Sequence, residues 1–174
     1  MDQSILIVLG ILAATVVLLG VLSMQEAYQA IDWKVVFLLA GLIPLGLAMQ
    51  KTGTADLLAG QLMALVQGAH PIFLLLSVAV LSTAFSLLIY NVGAIVVLAP
   101  LVMSMASMSQ LNPRNLALLA AVCTANSFIL PTHQVNAMLI SAGGYRNSDY
   151  LKAGSGMTLL FLLVVVSVFY GFYL

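Results

Sequence analysis

The sequence predicts an all-α membrane protein, and its composition and apolar runs lead to that prediction. Of its 174 residues, 63% are hydrophobic and 6% are charged, whereas a soluble domain is typically about 25% charged. Residues 57–113 and 115–145 contain no Asp, Glu, Lys or Arg, and they do not alternate as barrel strands would. With five basic and five acidic residues, the chain offers no basic surface for nucleic acid.

The first two predicted spans are separated by charged residues. The first, at about 4–24, is too long for a signal peptide and follows an acidic Asp2, so we expect it to be retained. The second, at about 33–50, begins at Trp33, a side chain suited to the lipid headgroup level. Pro44 predicts a kink inside it.

A short helix and a helical hairpin follow. Residues 55–67 are too short to span, so an interfacial helix capped by Thr54 is predicted. Residues 72–109 form two apolar arms joined at Tyr90-Asn91. Either both arms cross the bilayer and Tyr90-Asn91 is an external turn, or the arms form a re-entrant hairpin whose tip stops inside the protein. The uncharged turn and the hydroxyl residues before it favour the second alternative.

A discontinuous helix is predicted at about 115–140. Its first half, Leu116 to Leu130, stops at Pro131, because proline disfavours helical conformation in the residue before it. An apolar segment resumes at 137–140. After a surface loop at 145–149, the last span is expected at about 153–174. Together these elements predict a single transmembrane domain over residues 1–174.

Two uncharged polar islands lie inside the apolar regions, at Tyr90-Asn91 and at Pro131–Asn136. A polar group in hydrocarbon costs several kcal/mol unless it is satisfied. Broken helices at membrane depth are tolerated where they line a cavity, and half-helix ends there bind ions. The candidate substrate-binding residues are therefore Asn91, Thr132, His133, Gln134 and Asn136.

Structural alternatives exist for these side chains. The Asn91 amide could cap the hairpin or bond between helices, and His133 could be a neutral imidazole that satisfies freed backbone. His133 could also carry a proton, since histidine titrates near neutral pH. No carboxylate lies at mid-membrane and no His, Cys or Glu pair has metal-ligand spacing, so neither an enzyme nor a bound cofactor is expected.

The order of several motifs carries a family resemblance. They are Ile31-Asp32-Trp33, Gly41-Leu42, Pro44-Leu45-Gly46, Thr52-Gly53, Tyr90-Asn91-Val92, Pro100, Leu130–Asn136 and Gly143-Gly144-Tyr145. In this order they resemble the divalent anion/sodium symporter family of the ion transporter superfamily, which contains citrate, dicarboxylate, sulfate and arsenite permeases. The similarity covers nearly the whole chain and matches the C-terminal one of two inverted repeats.

The resemblance implies secondary active transport of a small anion such as a di- or tricarboxylate or sulfate, by an elevator-type movement. In the family, a Ser-Asn-Thr hairpin tip binds sodium and substrate opposite the helix break. Here the tip reads Tyr90-Asn91-Val92, so Asn91 matches and the flanking hydroxyl residues do not. The expected coupling-ion residues are Ser86, Asn91 and Pro131, and the ion would be sodium or a proton.

The resemblance also implies a setting and partners. We expect a multi-pass protein of the cell inner (plasma) membrane, in contact with the lipid bilayer, a small anionic substrate and a second repeat or another copy of the chain. The alternative is a non-transporting membrane assembly or accessory subunit, or a truncated fragment, in which the polar islands only stabilise helix packing.

Overall fold

The computed structural model describes residues 3–66, 70–89, 91–130, 143 and 146–173. The helices in these ranges are α1 (Gln3–Leu18), α2 (Met24–Gln29), α3 (Trp33–Lys51), α4 (Thr54–Leu65), α5 (Pro71–Leu88), α6 (Asn91–Ser109), α7 (Pro113–Thr124) and α8 (Asn147–Tyr173). All regular structure in the described ranges is helical, which confirms the predicted fold class. The chain divides into two compact units, Met1–Leu38 and Leu39–Leu174.

Four described helices are long and apolar enough to cross a membrane, namely α3, α5, α6 and α8. At 1.5 Å per residue, the 18 residues of α5 extend about 27 Å, close to the thickness of the hydrocarbon core. Together with the low charge content, these helices identify the chain as part of an integral membrane protein.

The first unit begins with α1, which ends earlier than the predicted span over 4–24. Gly20 follows it with a φ of 71°, a left-handed conformation that glycine adopts without strain and that stops the helix. Large apolar side chains on every side of α1 are exposed, among them Ile7, Leu9 and Leu12. Such a surface suits lipid or further protein and not water.

The first unit also contains a capped surface helix beside a group of aromatic rings. The Ser23 hydroxyl accepts from the Glu26 backbone N–H, while the Glu26 carboxylate accepts from the Ser23 backbone N–H at 2.8 Å, so α2 begins in a capping box. The rings of Tyr28 and Trp33 lie 4.6 Å apart, and the Trp33 indole N–H donates to the Tyr28 carbonyl. The position of Trp33 at the lipid headgroup level stays a prediction.

In the second unit, α3 approaches α6 closely at a glycine. A methyl group at the buried Gly46 would lie 3.2 Å from the Val96 carbonyl oxygen and 3.6 Å from the Pro100 ring. Pro100 has no N–H, so it cannot pair with the carbonyl of Val96 one turn earlier. Gly46 therefore lets α3 cover the part of α6 where the proline interrupts the hydrogen-bond ladder.

The predicted cap of α4 is wrong. The N-cap residue is Gly53, with a φ of 71°, and Thr54 is already helical. Gly53 supplies the left-handed turn between α3 and α4, so Thr54 has no capping position to occupy. Its hydroxyl instead lies 2.8 Å from that of Thr52.

Helices α5 and α6 form the predicted helical hairpin, with Ile89 and Tyr90 between them; Tyr90 lies outside the described residues. The hairpin packs against α7, and α4 and α8 complete the core of the second unit. The largest fully buried apolar side chains are Leu98, Met105, Leu116, Leu119, Val78 and Val102. Whether both arms cross the bilayer or the tip is re-entrant stays a prediction.

Two predicted boundaries are wrong. Helix α7 ends at Thr124 and not at Leu130: the N–H groups of Ala125 and Asn126 bond three residues back in a tightened last turn, and the Asn126 side chain bonds to α5 and α8. Helix α8 begins at Asn147, inside the predicted loop: the Arg146 carbonyl accepts from two helical N–H groups, and Asp149 in the first turn complements the helix dipole. The second half of the predicted broken helix, residues 137–140, lies outside the described residues.

Candidate functional site

Two of the sequence-predicted site residues, Ser86 and Asn91, lie in the described structure. Ser86 is in the last turn of α5 and Asn91 is the first residue of α6, so the hairpin brings both to its tip. The remaining predicted residues fall outside the described residues; they are Pro131, Thr132, His133, Gln134 and Asn136.

Asn91 presents a buried acceptor at the hairpin tip. Its Oδ1 atom is buried and has no hydrogen-bond partner among the described residues, and the same holds for the hydroxyl of Ser82 on α5. Buried polar side-chain atoms are usually paired, so an unpaired one needs a physical explanation. A bound ligand would supply the missing partner of Asn91 Oδ1. Asn91 also begins a helix, and the first N–H groups of a helix have no intrahelical partners.

A buried group of uncharged polar residues, which we call the polar cluster, joins α5, α7 and α8. It consists of Thr83, Ser86, Asn126 and Thr158, all at most 6% exposed. The Asn126 amide is its centre: Nδ2 donates to Thr83 Oγ1 at 3.3 Å, and Oδ1 accepts from the Thr158 hydroxyl at 3.2 Å. One side chain therefore bridges α5 and α8.

The same cluster holds two backbone carbonyls at the exit of α7. The Thr83 hydroxyl donates to the Cys123 carbonyl at 3.3 Å, and Ser86 Oγ lies 3.3 Å from the Asn126 carbonyl oxygen. Ser86 Oγ is closer to the Thr83 carbonyl, at 2.8 Å. A hydroxyl carries one hydrogen, and the shorter of these two contacts, to the Thr83 carbonyl, is the stronger hydrogen bond. The bond from the Ser86 hydroxyl to the Asn126 carbonyl is therefore the longer and weaker of the two.

Helix ends give this place its electrostatic character. The C-terminal turns of α5 and α7 both end beside the polar cluster, and helix C-termini carry partial negative charge. The N-terminus of α6 begins at Asn91, and helix N-termini carry partial positive charge. Carbonyl and hydroxyl oxygens at the C-terminal ends favour a cation, while the α6 N-terminus favours an anion.

Helix α8 fixes the segment that follows α7. A methyl group at Gly154 would overlap the backbone carbonyl of Phe128, so only glycine permits this approach. Two turns further on, the ring of Phe161 meets the ring of Phe128 edge to face, with centroids 6.0 Å apart. The spacing of positions 154, 158 and 161 puts them on one face of α8. This face packs against residues 126–128.

Sequence reasoning missed Asn126 and Thr158. Asn126 lies in what the sequence predicts as a continuous apolar helix, and Thr158 lies inside the last predicted span. A signal for both was present: each is an uncharged polar residue within a long apolar run, and Thr158 follows Gly154 at one-turn spacing. Ser86 was among the expected coupling-ion residues, whereas Thr83 was not selected as a site residue from the sequence.

The donors in this site suit a hard alkali cation better than a transition metal. Among the described residues, no three His, Cys, Asp or Glu side chains come together as a metal site. The oxygens present are hydroxyl, amide and carbonyl oxygens, which are ligands of hard cations.

Comparison with known proteins yields a family match and several relatives. The family model described as "Citrate transporter" matches residues 3–174. An uncharacterized transporter from Synechocystis is 35% identical over 93% of this chain and 27% of its own length. The uncharacterized transporter YfbS from Escherichia coli is 31% identical over 82% of this chain and 23% of its own.

A mammalian relative extends the range of the similarity. Mouse solute carrier family 13 member 1 is 26% identical over 83% of this chain and 24% of its own length. The chain therefore spans about a quarter of the length of these three curated relatives.

Proposed function

Because the chain belongs to the citrate transporter family, we propose that it forms part of a secondary active transporter that moves a small anion across a membrane with a coupling cation. A di- or tricarboxylate or sulfate is the proposed class of substrate. The observation that carries the proposal is the meeting of the C-terminal ends of α5 and α7 at Ser86 and the Asn126 carbonyl.

The coupling cation is proposed to bind at this meeting point. Ser86 Oγ and the Asn126 carbonyl oxygen are 3.3 Å apart, and a cation beside them would gain two oxygen ligands, because the Ser86 hydrogen could stay on the nearer Thr83 carbonyl. Asn91 Oδ1, buried and unpaired among the described residues, is a third candidate oxygen. Pro131 would contribute its carbonyl from the next part of the chain.

Sodium fits this group of donors better than a proton. Every side chain of the polar cluster is a hydroxyl or an amide, and neither type changes its charge near neutral pH. A sodium ion needs only oxygens, whereas a transported proton needs a titratable group, for which His133 is the candidate.

The anion is proposed to bind at the N-terminus of α6. Partial positive charge at a helix N-terminus stabilises an anion, and a bound cation nearby would strengthen that attraction. Asn91 would supply its amide N–H groups from this helix. Thr132, His133, Gln134 and Asn136 would complete the site from the other polar island.

The setting of the transporter follows from the same proposal. We place the chain in the cell inner (plasma) membrane, next to a second repeat or another copy of itself. Either partner would supply a second hairpin and helix break, as inverted-repeat transporters have at their binding sites.

Uptake into proteoliposomes tests the proposal. The native protein is reconstituted, and uptake of labelled citrate, succinate and sulfate is compared under inward gradients of sodium, of choline and of protons. We expect concentrative uptake of at least one anion under the sodium gradient. If no anion accumulates under any gradient, the proposed function is wrong; if only the proton gradient drives uptake, the choice of sodium is wrong.

Substitutions at the hairpin tip test the site. Asn91→Ala should lower uptake about tenfold, and Ser86→Ala should raise the sodium concentration for half-maximal uptake about tenfold, the change expected for the loss of one ligand worth about 1.4 kcal/mol. Ser107→Ala is the matched control, because Ser107 lies on α6 and its hydroxyl is exposed and bonds back to the Ser104 carbonyl of the same helix. Wild-type uptake in both tip variants would contradict the site assignment.

A further inference from the structure

We infer that Asn126 and Thr158 are positioning residues for the coupling cation: their side chains tie the segment after α7 to α8 and so hold the Asn126 carbonyl oxygen in front of Ser86. The inference rests on the proposed function. It concerns atoms that do not themselves touch the ion, and it assigns a role to α8, on which no predicted site residue lies.

The first step concerns which donor bonds to which acceptor around the Asn126 side chain. Its Nδ2 donates to Thr83 Oγ1 at 3.3 Å, and its Oδ1 accepts the single hydrogen of the Thr158 hydroxyl at 3.2 Å. Thr83 Oγ1 in turn uses its own hydrogen on the Cys123 carbonyl. Because the Thr83 hydrogen is used on that carbonyl, Thr83 Oγ1 can only accept from Asn126, and this defines one orientation of the amide.

The second step links this side chain to the carbonyl of the same residue. Asn126 is 0% exposed and lies beyond the end of α7 at Thr124, where its N–H bonds back to the Cys123 carbonyl at 3.1 Å. The side-chain amide supports the same residue from two more directions, because it is held on α5 at one end and on α8 at the other. The carbonyl oxygen of the residue, 3.3 Å from Ser86 Oγ, is fixed with it.

The third step is the contribution of α8. Gly154 lets the backbone of Phe128 lie directly on the helix, and Phe161 holds the ring of Phe128 edge to face. Thr158 lies between these two contacts on the same helix face. The hydroxyl of Thr158 thus adds a hydrogen bond to the contacts made by Gly154 and Phe161, and Thr158 is 6% exposed.

A structural role alone would predict a different outcome from a positioning role. If the bond from Thr158 merely stabilises the fold, its loss lowers the amount of folded protein and leaves the sodium affinity of that protein unchanged. If the bond positions the Asn126 carbonyl, its loss weakens sodium binding in protein that is still folded. The readout must therefore be a sodium affinity.

The test uses Thr158→Val, which keeps the shape of the side chain and removes the hydroxyl, and Thr158→Ser, which keeps the hydroxyl. In purified native protein, sodium chloride is titrated against choline chloride and the rise in melting temperature is recorded. We expect the sodium concentration for half-maximal stabilisation to rise about tenfold in Thr158→Val and to stay within about twofold of wild type in Thr158→Ser. An unchanged value in Thr158→Val overturns the inference.

A second variant covers the case in which Thr158→Val does not fold. Thr83→Val removes the other partner of the Asn126 amide, and the same tenfold rise is expected there; an unchanged sodium dependence overturns the inference. The wild-type protein separates this failure from failure of the proposed function. If the wild type shows no sodium-specific stabilisation and no sodium-driven uptake, the proposed coupling site is wrong as well.

Discussion

The described core contains buried hydroxyl and amide groups rather than charges, and all of them but the Ser82 hydroxyl have a hydrogen-bond partner. Its buried polar side chains are Ser82, Thr83, Ser86, Thr124, Asn126 and Thr158. Thr124 bonds back to its own helix, whereas Thr83, Asn126 and Thr158 bond between helices. Inter-helix bonds of this type average about 0.6 kcal/mol in membranes, so the polar cluster selects an arrangement more than it adds stability.

The role of Asn126 could not be predicted from the sequence, because its partners are distant along the chain. Asn91 and Ser86 could be selected from the sequence, because each adjoins an interruption in an apolar run. The partners of Asn126 lie 43 and 32 positions away along the chain, at Thr83 and Thr158. No local pattern encodes such distances, so the bridging role of the amide could only be found from the fold.

The capping box of α2 gives a prediction for Glu26. Hydrogen bonds from the Ser23 hydroxyl and from the Ser23 backbone N–H lower the pKa of the Glu26 carboxyl below its ordinary value of 4.5. The bonds favour the charged form, so their stabilisation is present above the ordinary pKa and is lost as the pH falls through the lowered one. Ser23→Ala should raise the pKa of Glu26 part of the way back, because the backbone bond remains.

NMR titration of Glu-labelled protein in detergent micelles measures this pKa. Ser155→Ala serves as the control, since Ser155 lies on α8 and its exposed hydroxyl bonds back to the Leu151 carbonyl of the same helix. A pKa of Glu26 at the ordinary value in the wild type, or no change in Ser23→Ala, would contradict the capping geometry.

Among the helical elements, α7 and α8 differ most from what the sequence predicts. The proline at 131 predicted the end of α7, but the helix ends at Thr124, where the polar cluster offers other partners for the backbone. The start of α8 at Asn147 was predicted as loop because polar residues there resembled a surface turn. The hairpin of α5 and α6 was predictable, because two apolar arms flank one short polar island.

The close approach of α8 to the segment after α7 gives a prediction for Gly154. A methyl group there would overlap the Phe128 carbonyl, so Gly154→Ala must push residues 126–128 away from α8. We expect a loss of about 1–3 kcal/mol of stability, typical of overpacking a tight contact, and weaker sodium stabilisation. The melting temperature with and without sodium measures both effects.

Gly156 on the same helix is the matched control for Gly154. A methyl group at Gly156 would meet no atom within 4 Å, so Gly156→Ala adds a better helix former without a clash. It should melt at or slightly above the wild-type temperature. Equal melting temperatures and equal sodium responses for the two alanine variants would show that the Gly154 contact is not tight in the protein.

At the scale of the whole molecule, the membrane class and the family could both be predicted from the sequence. Composition alone excludes a soluble domain, and the order of short motifs indicates the transporter family that the comparison then supports. The geometry of the site could not be predicted in the same way. It depends on how three helices meet, whereas a hydropathy pattern reports only that each helix is apolar.

The exposed apolar surface of the helices gives a prediction for the membrane association of the protein. Large apolar side chains exposed on α8 include Leu159, Leu160 and Leu163, and removing them from water favours the bilayer by roughly 25 cal/mol per Å². The protein should remain in the membrane pellet after alkaline carbonate washing and should be released by detergent. Appearance in the carbonate supernatant, alongside a peripheral marker protein, would contradict membrane integration.

The buried Cys123 has a practical consequence. It is the single cysteine of the chain, its side chain is 0% exposed, and its carbonyl accepts the Thr83 hydroxyl at the exit of α7. A buried thiol reacts with alkylating reagents only when the surrounding structure opens. The labelling rate of this sulfur therefore reports how often α7 separates from α5, and a ligand that holds the two helices together would protect it.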